Sequence, residues 1–360
     1  MQWLLLLILL PYSAIMLKLF SGLKKIRTFI PGTTPDIFVS VVVACRNEAG
    51  RLPGLLSDIA AQTYDSKNFE LIISDDNSTD NTVEVASEYE GIRNLKVLKS
   101  NGTGKKLALK TAIEASRGKL IITTDADCRA GKGWISTIAA YFEEEKPHMI
   151  IGPVWPECSG GIIRKFSELE FLSLQAVTAA TASLGYPVMC NGANLAFTRD
   201  VYDRHCHNIH FNLNTGDDVF LLHSLKAERE NRIAWLESSE ATVKTILPGR
   251  LIPFLSQRAR WLSKAGYYSD RHTIILAIVT FAATLLPAGL LISVLVNISL
   301  LPVFLAALAM KAVPDYLLLS ETAVRYCNKN IMEWFLPSMI IYPFYVLSVI
   351  LFLPARKGSR

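Results

Sequence analysis

The sequence predicts a mixed α/β domain, built on a mostly parallel β-sheet, that is attached to transmembrane helices. Two observations support this fold class. Long apolar runs stand near both ends of the 360-residue chain, whereas the charged residues concentrate in the middle. In that middle segment, strand-like and helix-like patterns alternate, which is typical of a parallel sheet. Only 19% of the residues are charged and 51% are hydrophobic, which excludes a disordered chain, a collagen-like fibre and a disulfide-rich miniprotein.

The N-terminal apolar run, residues 3–20, carries a single charge, Lys18. A membrane span needs about 20 apolar residues, so we predict a transmembrane helix over residues 1–20. A cleaved signal peptide is the alternative, but such peptides carry Lys or Arg before the apolar run, and here the positive charges follow it. The positive-inside rule then places residues 35–270 in the cytoplasm of a multi-pass protein of the plasma or inner membrane.

Two further apolar runs, residues 273–310 and 334–353, contain no charged residue. Because the first run is too long for one span, the two runs predict about three transmembrane helices within residues 273–354. The alternative is a pair of buried core helices in a soluble protein. The predicted division of the first run is a helix over 273–296, a turn at Asn297 and a helix over 298–319.

The middle segment begins with the apolar, β-branched run IFVSVVVA, the signature of a strand buried on both faces. The predicted strands cover residues 37–44, 70–74, 94–98 and 119–124, and the predicted helices cover residues 51–62, 81–90 and 105–116. Asn81 and Glu84 have the spacing of a capping box at the start of the second helix. Ligands bind beyond the carboxyl ends of the strands in such sheets, so the residues that follow the strands are the site candidates.

Acidic side chains follow three of the predicted strands, in residues 46–48, 75–80 and 125–127. Each cluster alone has a structural interpretation, since Asp, Asn and Ser are common in turns and helix caps. Together they would repel one another at one edge of the sheet unless a cation or a donor-rich ligand lies there. Asp125 and Asp127 are two residues apart, so in extended backbone both point to the same side. Such a pair suits Mg²⁺ or Mn²⁺, which can neutralise a departing diphosphate.

Four segments carry a resemblance to a known family: VVVACRNEA at 41–49, IISDDNSTDNT at 72–82, GKKLALKTAI at 104–113 and TTDAD at 123–127. Together they resemble the family-2 inverting glycosyltransferases of GT-A fold, over roughly residues 38–265. The resemblance implies a Rossmann-like, mostly parallel sheet with helices on both faces. It also implies a nucleoside-diphosphate sugar as donor, with a UDP-sugar expected, and Mg²⁺ or Mn²⁺ as cofactor.

The resemblance also implies roles for single residues. Those expected to bind the nucleotide sugar are Ala44, Arg46, Glu48, Asp76, Lys105 and Asp125. Asp127, together with Asp125, is expected to hold the metal ion. The sequence departs from the family at Ala44-Cys45-Arg46, where a proline and an aromatic residue are usual near the nucleobase. Lys105 is a better match to the family's basic position than Lys106, although a solvated first helical turn would explain both lysines.

Residues 215–221, TGDDVFL, resemble the family's Thr-Glu-Asp-x-x-Leu motif. The last acid of that motif is the general base, which maps to Asp218. Asp217 stands where the family often has Glu, and it remains an alternative or shared base. An inverting transfer needs one carboxylate to take the proton of the acceptor hydroxyl. A retaining transfer would need a second carboxylate as nucleophile, for which the sequence offers no matched candidate. A structural alternative is a helix N-terminus, which favours acidic residues.

The segment QRARW contains a Q-x-x-R-W motif, formed by Gln257, Arg260 and Trp261. In the family this motif lies near the membrane surface and contacts the acceptor and the donor diphosphate. The alternative is simple anchoring, because Arg and Trp are favoured at the membrane interface. Asn191, in the segment NGAN, resembles the family's segment before the acceptor region, where Gly permits close backbone approach.

Two features lie outside these motifs. Histidines at positions 205, 207 and 210 surround Cys206, which invites a zinc interpretation, but the spacing lacks a matched fourth ligand. A polar loop beside the site is therefore the preferred interpretation. Residues 161–185 have a helical pattern that fits either the bilayer interface or a cover over the sheet.

The expected function is the transfer of a sugar to a lipid-linked or polysaccharide acceptor, as in cell wall or polysaccharide biogenesis. A processive synthase that polymerises and extrudes its product is the alternative; the Q-x-x-R-W motif favours it and the small number of spans argues against it. A non-catalytic scaffold is disfavoured by the intact carboxylates, and a transporter by the large charged domain. The net charge of +5 requires no nucleic-acid partner, because basic residues beside membrane spans account for much of it.

Overall fold

The structure is a computed structural model that describes residues 2–157, 160–211, 213, 215–228, 231–326 and 329–357. Met1 of the predicted 1–20 helix and residues 327–328 of the predicted 273–354 segment lie outside the described residues. The chain forms two compact units. The helical unit comprises Met1–Ile26, Cys158–Val188 and Leu247–Arg360, and the sheet unit comprises Arg27–Glu157 and Met189–Ile246. Residues 158–188 and 247–270, which the predicted 35–270 domain includes, therefore group with the helices near the chain ends.

In the described part of the chain the strands are β1 Val39–Cys45, β2 Phe69–Asp75, β3 Leu95–Lys99, β4 Leu120–Asp125, β5 Arg129–Ala130, β6 Met149–Ile151, β7 Val154–Glu157, β8 Leu195–Thr198, β9 Ile233–Trp235 and β10 Val243–Ile246. The helices are α1 Leu10–Lys25, α2 Leu52–Ala60, α3 Thr82–Ser87, α4 Lys105–Glu114, α5 Trp134–Glu145, α6 Ile162–Ser183, α7 Arg199–His205, α8 Asp217–Lys226, α9 Leu251–Leu262, α10 Arg271–Val296, α11 Leu301–Arg325 and α12 Phe335–Lys357.

The main sheet of the sheet unit has seven strands in the order β3-β2-β1-β4-β8-β6-β9. β3, β2, β1 and β4 are parallel neighbours, β8 is antiparallel to both β4 and β6, and β9 is parallel to β6. A second sheet has the order β5-β10-β7. The predicted mostly parallel α/β fold is therefore confirmed. The register pairs Cys45 with Asp75 and Ala44 with Asp125, so the predicted acidic strand ends lie side by side.

The central strands are apolar because both of their faces are covered. Val41, Val42 and Val43 of β1 are fully buried, as expected for a parallel sheet between helices. One charged side chain is also fully buried in this region. Glu70 of β2 accepts hydrogen bonds from Ser40 Oγ at 2.8 Å, Lys96 Nζ at 2.8 Å and the backbone N–H of Arg117 at 2.6 Å. Its charge is thus paired where β1, β2 and β3 meet.

The predicted capping box at Asn81 and Glu84 is wrong. The helix begins at Thr82, and the Asn81 side chain makes no cap hydrogen bond. Asp80 takes the capping function instead, because its Oδ1 accepts from the backbone N–H of Thr82 at 3.1 Å and from the Thr82 hydroxyl at 2.5 Å. The sequence offered two adjacent capping residues, and only the geometry of the preceding loop decides between them.

Among its described residues, the helical unit contains four helical segments that are long and apolar enough to cross a membrane: Gln2–Lys25, Arg271–Val296, Ile298–Arg325 and Asn330–Leu353. The break between the second and third falls at Asn297, whose Oδ1 accepts from the backbone N–H of Ser299 at 3.1 Å. Helix α11 then continues to Arg325, six residues beyond the predicted end. The side chain of Arg325 donates to the carbonyl oxygen of Leu23 at 2.8 Å, which ties this extension to the end of α1.

The predicted helix over residues 161–185 is α6, and it packs against α1 and α11. Phe166, Leu169, Leu172 and Ala176 are buried. α6 therefore forms part of the core of the helical unit.

Candidate active site

The loops after β1 and β2 hold each other at the carboxyl end of the sheet. Asn47 has a left-handed backbone, with φ of +55°, and its Oδ1 accepts from the backbone N–H of Thr79 at 2.7 Å. Its own backbone N–H donates to the Ser78 hydroxyl at 2.9 Å. The backbone N–H of Glu48 donates to Thr82 Oγ1 at 2.8 Å. These three hydrogen bonds fix the segment that contains the predicted nucleotide-binding positions.

Asp76, predicted to bind the nucleotide sugar, is 5% exposed. Its Oδ1 accepts from the backbone N–H of Gly104 at 2.6 Å, and its Oδ2 lies 3.7 Å from Nη1 of Arg46. Gly104 has φ of +106°, a backbone conformation that residues with a side chain rarely adopt. The glycine thus lets the backbone turn toward Asp76 immediately before α4 begins. Ala44, also predicted here, lies one residue before the end of β1.

Asp125 and Asp127 lie at the end of β4 and form one group with Cys128. The carboxylate oxygens and the Cys128 Sγ atom lie within 4.8 Å of one another. Among the described residues, these three side chains form a group that could hold a metal ion. The described histidines near Cys206 belong to no such group. Cys128 is 1% exposed and carries a free thiol. Sequence reasoning did not assign Cys128, although its position next to Asp127 in the chain was the available signal.

Burial and the neighbouring carboxylates raise the pKa values of Asp127 and Glu48. The pKa of Asp127 is raised by burial and by the Asp125 carboxylate, which Arg51 and Lys105 only partly offset. The pKa of Glu48 is raised by burial and, despite the opposing effect of Arg51, by Asp127 and Asp125. Glu48 therefore belongs electrostatically to the same acidic site. A bound cation would favour the ionised carboxylates that the site now disfavours.

Lys105 is the cation that faces these carboxylates. Its Nζ atom donates to Asp125 Oδ1 at 2.5 Å. Burial by itself would lower the pKa of Lys105, but the carboxylates of Asp125, Asp217 and Asp218 raise it. The Nζ atom of Lys106 donates to the carbonyl oxygen of Ile209 at 2.8 Å. Of the two adjacent lysines, Lys105 is thus the one that contacts Asp125, whereas Lys106 lines a pocket together with Asp217 and Asp218.

Asp217 and Asp218 begin α8. Asp218 Oδ2 accepts from the backbone N–H of Gly192 at 3.1 Å, and the carbonyl oxygen of Gly192 accepts from the Thr123 hydroxyl at 2.8 Å. Thr123 belongs to β4, two residues before Asp125. This chain of hydrogen bonds connects the predicted general base to the strand that carries the predicted metal ligands.

A pocket lies beside these two aspartates in the sheet unit. The residues that line it include Lys106, Thr123, Gly192, Tyr202, Asp217 and Asp218. The rest of its wall is apolar and comes from α4, β8, α8 and Ile209. Both candidate bases therefore face a concave surface of the sheet unit.

The two asparagines of the NGAN segment, Asn191 and Asn194, have different roles. Asn191 caps a short helical turn, because its Oδ1 accepts from the backbone N–H of Ala193 at 3.0 Å. Asn194 is buried and makes hydrogen bonds with Trp134 Nε1 at 3.0 Å and with the carbonyl oxygens of Pro153 and Ala241 at 2.8 Å. Asn194 is therefore a structural connection, and Asn191 remains the residue of this segment predicted to face the acceptor.

Gln257, Arg260 and Trp261 lie on α9 in the helical unit. All three are half-buried. The side chain of Arg258, between them in sequence, donates to Gln257 Oε1 and stacks on the ring of Trp261, with 4.2 Å between the guanidinium carbon and the ring centroid. The other predicted site residues belong to the sheet unit.

Comparison with known proteins identifies the class to which this arrangement of fold and acidic strand ends belongs. Residues 40–205 match the family model of Glycosyl transferase family 2. Residues 40–205 therefore match a family-2 glycosyltransferase domain, and the predicted resemblance to this family is confirmed over that segment.

Two curated relatives match shorter segments. The chain is 31% identical over 131 residues to the beta-monoglucosyldiacylglycerol synthase of Nostoc sp., a match that covers 35% of this chain and 28% of the relative. It is 39% identical over 93 residues to the undecaprenyl-phosphate 4-deoxy-4-formamido-L-arabinose transferase of Aeromonas hydrophila, which covers 25% of this chain and 28% of the relative. The chain thus matches less than a third of the length of either relative.

One solved structure resembles almost the whole chain. The mannosyltransferase PcManGT from Pyrobaculum calidifontis, in complex with GDP-Man and Mn²⁺, superposes with a TM-score of 0.60 and 18% sequence identity, covering 98% of this chain and 99% of that protein. At this identity the likeness concerns the fold. It confirms the GT-A fold joined to apolar helices.

Proposed function

We propose that the protein is a membrane-bound inverting glycosyltransferase that moves a sugar from a nucleoside-diphosphate sugar to a hydroxyl of a lipid-linked or polysaccharide acceptor. The observation that carries this proposal is the acidic site at the end of β4. There Asp125, Asp127 and Lys105 meet, and Asp218 is connected to the same strand through Gly192 and Thr123.

The donor is proposed to bind along the carboxyl ends of β1, β2 and β4. Ala44, Arg46, Glu48 and Asp76 would hold the nucleoside, and Lys105 would contact the diphosphate. The oxygens of Asp125 and Asp127 and the sulfur of Cys128 are close enough for one ion to contact, and carboxylates are the ligands that Mg²⁺ and Mn²⁺ prefer. When bound, such an ion supplies positive charge that stabilises the departing diphosphate.

Transfer is proposed to occur in one displacement. Asp218 takes the proton of the acceptor hydroxyl while the hydroxyl oxygen attacks the anomeric carbon. The bond between that carbon and the diphosphate oxygen breaks, and the configuration inverts. Asp218 Oδ2 is held by the backbone N–H of Gly192, which orients the carboxylate. Asp217, adjacent at the start of α8, remains the alternative base.

A lipid-linked or glycan acceptor is supported by two observations. In the part of the chain that the structure describes, four segments are long and apolar enough to cross a membrane. Relatives include a beta-monoglucosyldiacylglycerol synthase and an undecaprenyl-phosphate 4-deoxy-4-formamido-L-arabinose transferase, both of which are named after a lipid. Gln257, Arg260, Trp261 and Asn191 are proposed to contact the acceptor or the diphosphate. The basic residues that follow the first span place the catalytic domain in the cytoplasm in this proposal.

A processive synthase is the second candidate, because the Q-x-x-R-W motif on α9 is common in polymerising members of the family. The products distinguish the two: a synthase yields a ladder of chain lengths from one acceptor, whereas a single transferase yields one product. The four candidate spans favour the single transferase, since a glycan channel needs several helices to separate sugar hydroxyls from lipid.

The test uses the full chain, purified and reconstituted in vesicles that contain diacylglycerol or a polyprenyl-linked saccharide, with a soluble oligosaccharide as a third acceptor. UDP- and GDP-sugars are supplied with Mn²⁺, Mg²⁺ or EDTA, and nucleotide release and glycolipid formation are measured. We expect metal-dependent transfer that Asp127→Ala and Asp218→Asn each abolish. Asp200→Asn, an exposed aspartate of α7, is the matched control and should retain activity. Parental activity in both site variants would overturn the assigned roles, and an inactive parent with every donor and acceptor would overturn the function.

A further inference from the structure

Arg258 is a buried cation in the middle of the Q-x-x-R-W motif, at a position to which the motif gives no role. It is 3% exposed. Its guanidinium donates to Gln257 Oε1 and lies over the ring of Trp261, 4.2 Å from the centroid. Arg258 therefore contacts the first and the last residue of the motif at once.

Glu170 of α6 holds the other side of this guanidinium. Nε of Arg258 lies 3.1 Å from both carboxylate oxygens of Glu170, and Nη2 lies 2.5 Å from Oε2. Both side chains are buried. A carboxylate in this geometry fixes the plane of the guanidinium, which an ammonium group would not allow.

Tyr345 of α12 completes the group. Its hydroxyl donates to Glu170 Oε1 at 3.0 Å, and its ring stacks on Phe254 with 5.4 Å between centroids. Phe166 packs edge-on against both rings. These aromatic contacts hold the Tyr345 ring in place. The Tyr345 hydroxyl in turn holds the Glu170 carboxylate, which contacts the Arg258 guanidinium.

From this geometry we propose that Arg258, Glu170 and Tyr345 are positioning residues that set the orientation of Gln257 and Trp261 for acceptor binding. The inference rests on the proposed function, in which those two motif residues contact the acceptor. In this proposal, the orientation of the motif depends on Glu170 of α6 and on Tyr345 of α12. The motif is thus supported by residues that are far from it in sequence.

The test compares Arg258→Lys, Glu170→Gln and Tyr345→Phe with the parent. We expect the KM for acceptor to rise about tenfold in the first two and about threefold in Tyr345→Phe, because fewer hydrogen bonds are lost in the last. The donor KM should stay within about twofold, since a misaligned motif weakens one substrate selectively. Arg250→Lys, at the exposed residue before α9, is the matched control and should leave both constants unchanged.

A double variant separates positioning from stability. Glu170→Gln with Arg258→Gln removes the unpaired buried cation that Glu170→Gln alone leaves, so its thermal unfolding should return toward that of the parent. Its acceptor KM should stay high, because the planar guanidinium that holds Gln257 and Trp261 is absent. A double variant that recovers both stability and acceptor KM would overturn the proposal.

A spectroscopic readout keeps this inference distinct from the proposed function. The emission of Trp261 is obtained as the difference between each protein and its Trp261→Phe counterpart. We expect Arg258→Lys to shift and broaden that difference spectrum, because the stacked guanidinium is replaced by a mobile ammonium group. An unchanged spectrum overturns the positioning role whether or not transfer is observed, whereas an inactive parent overturns only the function.

Discussion

The ammonium group of Lys105 lies 2.5 Å from Oδ1 of Asp125, the first carboxylate of the predicted metal pair. Lys105 thus neutralises part of the negative charge that a divalent ion would otherwise balance. It also stands next to the loop that Asp76 holds through Gly104. The same cation is therefore placed to compete with a metal ion and to attract an anionic diphosphate.

We expect Lys105→Met to affect metal and donor binding in opposite directions. Without its competing ammonium group, the acidic site should bind Mn²⁺ several-fold more tightly in the absence of donor, an effect limited by the partial exposure of the pair. Donor affinity should fall roughly 10–100-fold, as for the loss of a hydrogen bond of about 1.5–3 kcal/mol to a charged group. Electron paramagnetic resonance of Mn²⁺ and calorimetry with the nucleotide check the two effects.

Lys110→Met is the control for this experiment, because Lys110 lies on the same helix and makes an exposed ion pair with Glu114. It should alter neither constant. Unchanged Mn²⁺ affinity in Lys105→Met would contradict the competition between the ammonium group and the ion.

Sequence patterns predicted the strands of the sheet well, because a strand pattern depends on residues that are close together in the sequence. The β-branched run at Val39–Cys45 and the acidic strand ends follow from residue type and spacing alone. The contacts that orient side chains were not predictable in this way. Glu170 and Arg258 are 88 positions apart, and only the packing of α6 against α9 and α12 brings them together. Likewise, nothing in the local pattern decided whether Asp80 or Asn81 would cap α3.

The choice between Asp217 and Asp218 as base can be resolved by a matched pair of variants. Asp218→Asn should lower kcat by about 10²–10⁴-fold, the usual contribution of a general base, with little change in donor KM. Asp217→Asn should lower kcat less than about tenfold, through its electrostatic interaction with Lys105. Transfer rates at saturating donor and acceptor measure both. The opposite order would assign the base to Asp217.

Cys128 should influence which metal ions bind. A thiolate favours soft ions, whereas carboxylates suit hard ones. We therefore expect Cys128→Ser to lower Cd²⁺ affinity more than about tenfold and Mg²⁺ affinity less than about twofold. The parent with Cd²⁺ should also show the ultraviolet charge-transfer absorption of a cadmium–thiolate bond, and the variant should not. Cys206→Ser, at a partly exposed cysteine outside the acidic site, should behave as the parent. Equal Cd²⁺ affinities would remove Cys128 from the set of ligands.

Glu70 should make the stability of the protein depend on pH in the acid range. Burial alone would raise its pKa, but hydrogen bonds from Lys96, Arg117 and Ser40 lower it below the usual value. A lowered carboxyl pKa in the folded state stabilises the fold above the unfolded pKa, and this stabilisation is lost as pH falls through the folded pKa. Glu70→Gln should therefore reduce the free energy of unfolding by about 1–3 kcal/mol at pH 7, and the difference should shrink below about pH 4.

Thermal and urea unfolding in detergent at several pH values measure this difference. Glu88→Gln, at an exposed carboxylate after α3, is the control and should shift stability by less than about 0.5 kcal/mol. A difference between parent and Glu70→Gln that stays constant from neutral to acid pH would contradict the assigned charge pairing.

A charged pair on α11 should hold α1 in place. Lys311 Nζ lies 2.6 Å from Asp315 Oδ2, and the Tyr12 hydroxyl of α1 donates to Asp315 Oδ1 at 2.5 Å. Lys311 stands near the middle of the candidate span Ile298–Arg325, where an unpaired charge is unfavourable. Both side chains are half-buried, and removing one partner leaves the other charge without compensation, so Lys311→Met and Asp315→Leu should each destabilise by about 2–4 kcal/mol, somewhat less than for a fully buried pair.

The double change should destabilise far less than the sum of the two, because it leaves no unpaired charge. Tyr12→Phe, which removes one hydrogen bond, should cost about 1 kcal/mol in the parent and almost nothing in the double variant. Unfolding in mixed micelles gives these energies, with Lys67→Met, an exposed lysine of the sheet unit, as the control. Additive losses from Lys311 and Asp315 would mean that the two charges are stabilised separately, and the contact between Tyr12 and Asp315 would then not determine how α1 packs on α11.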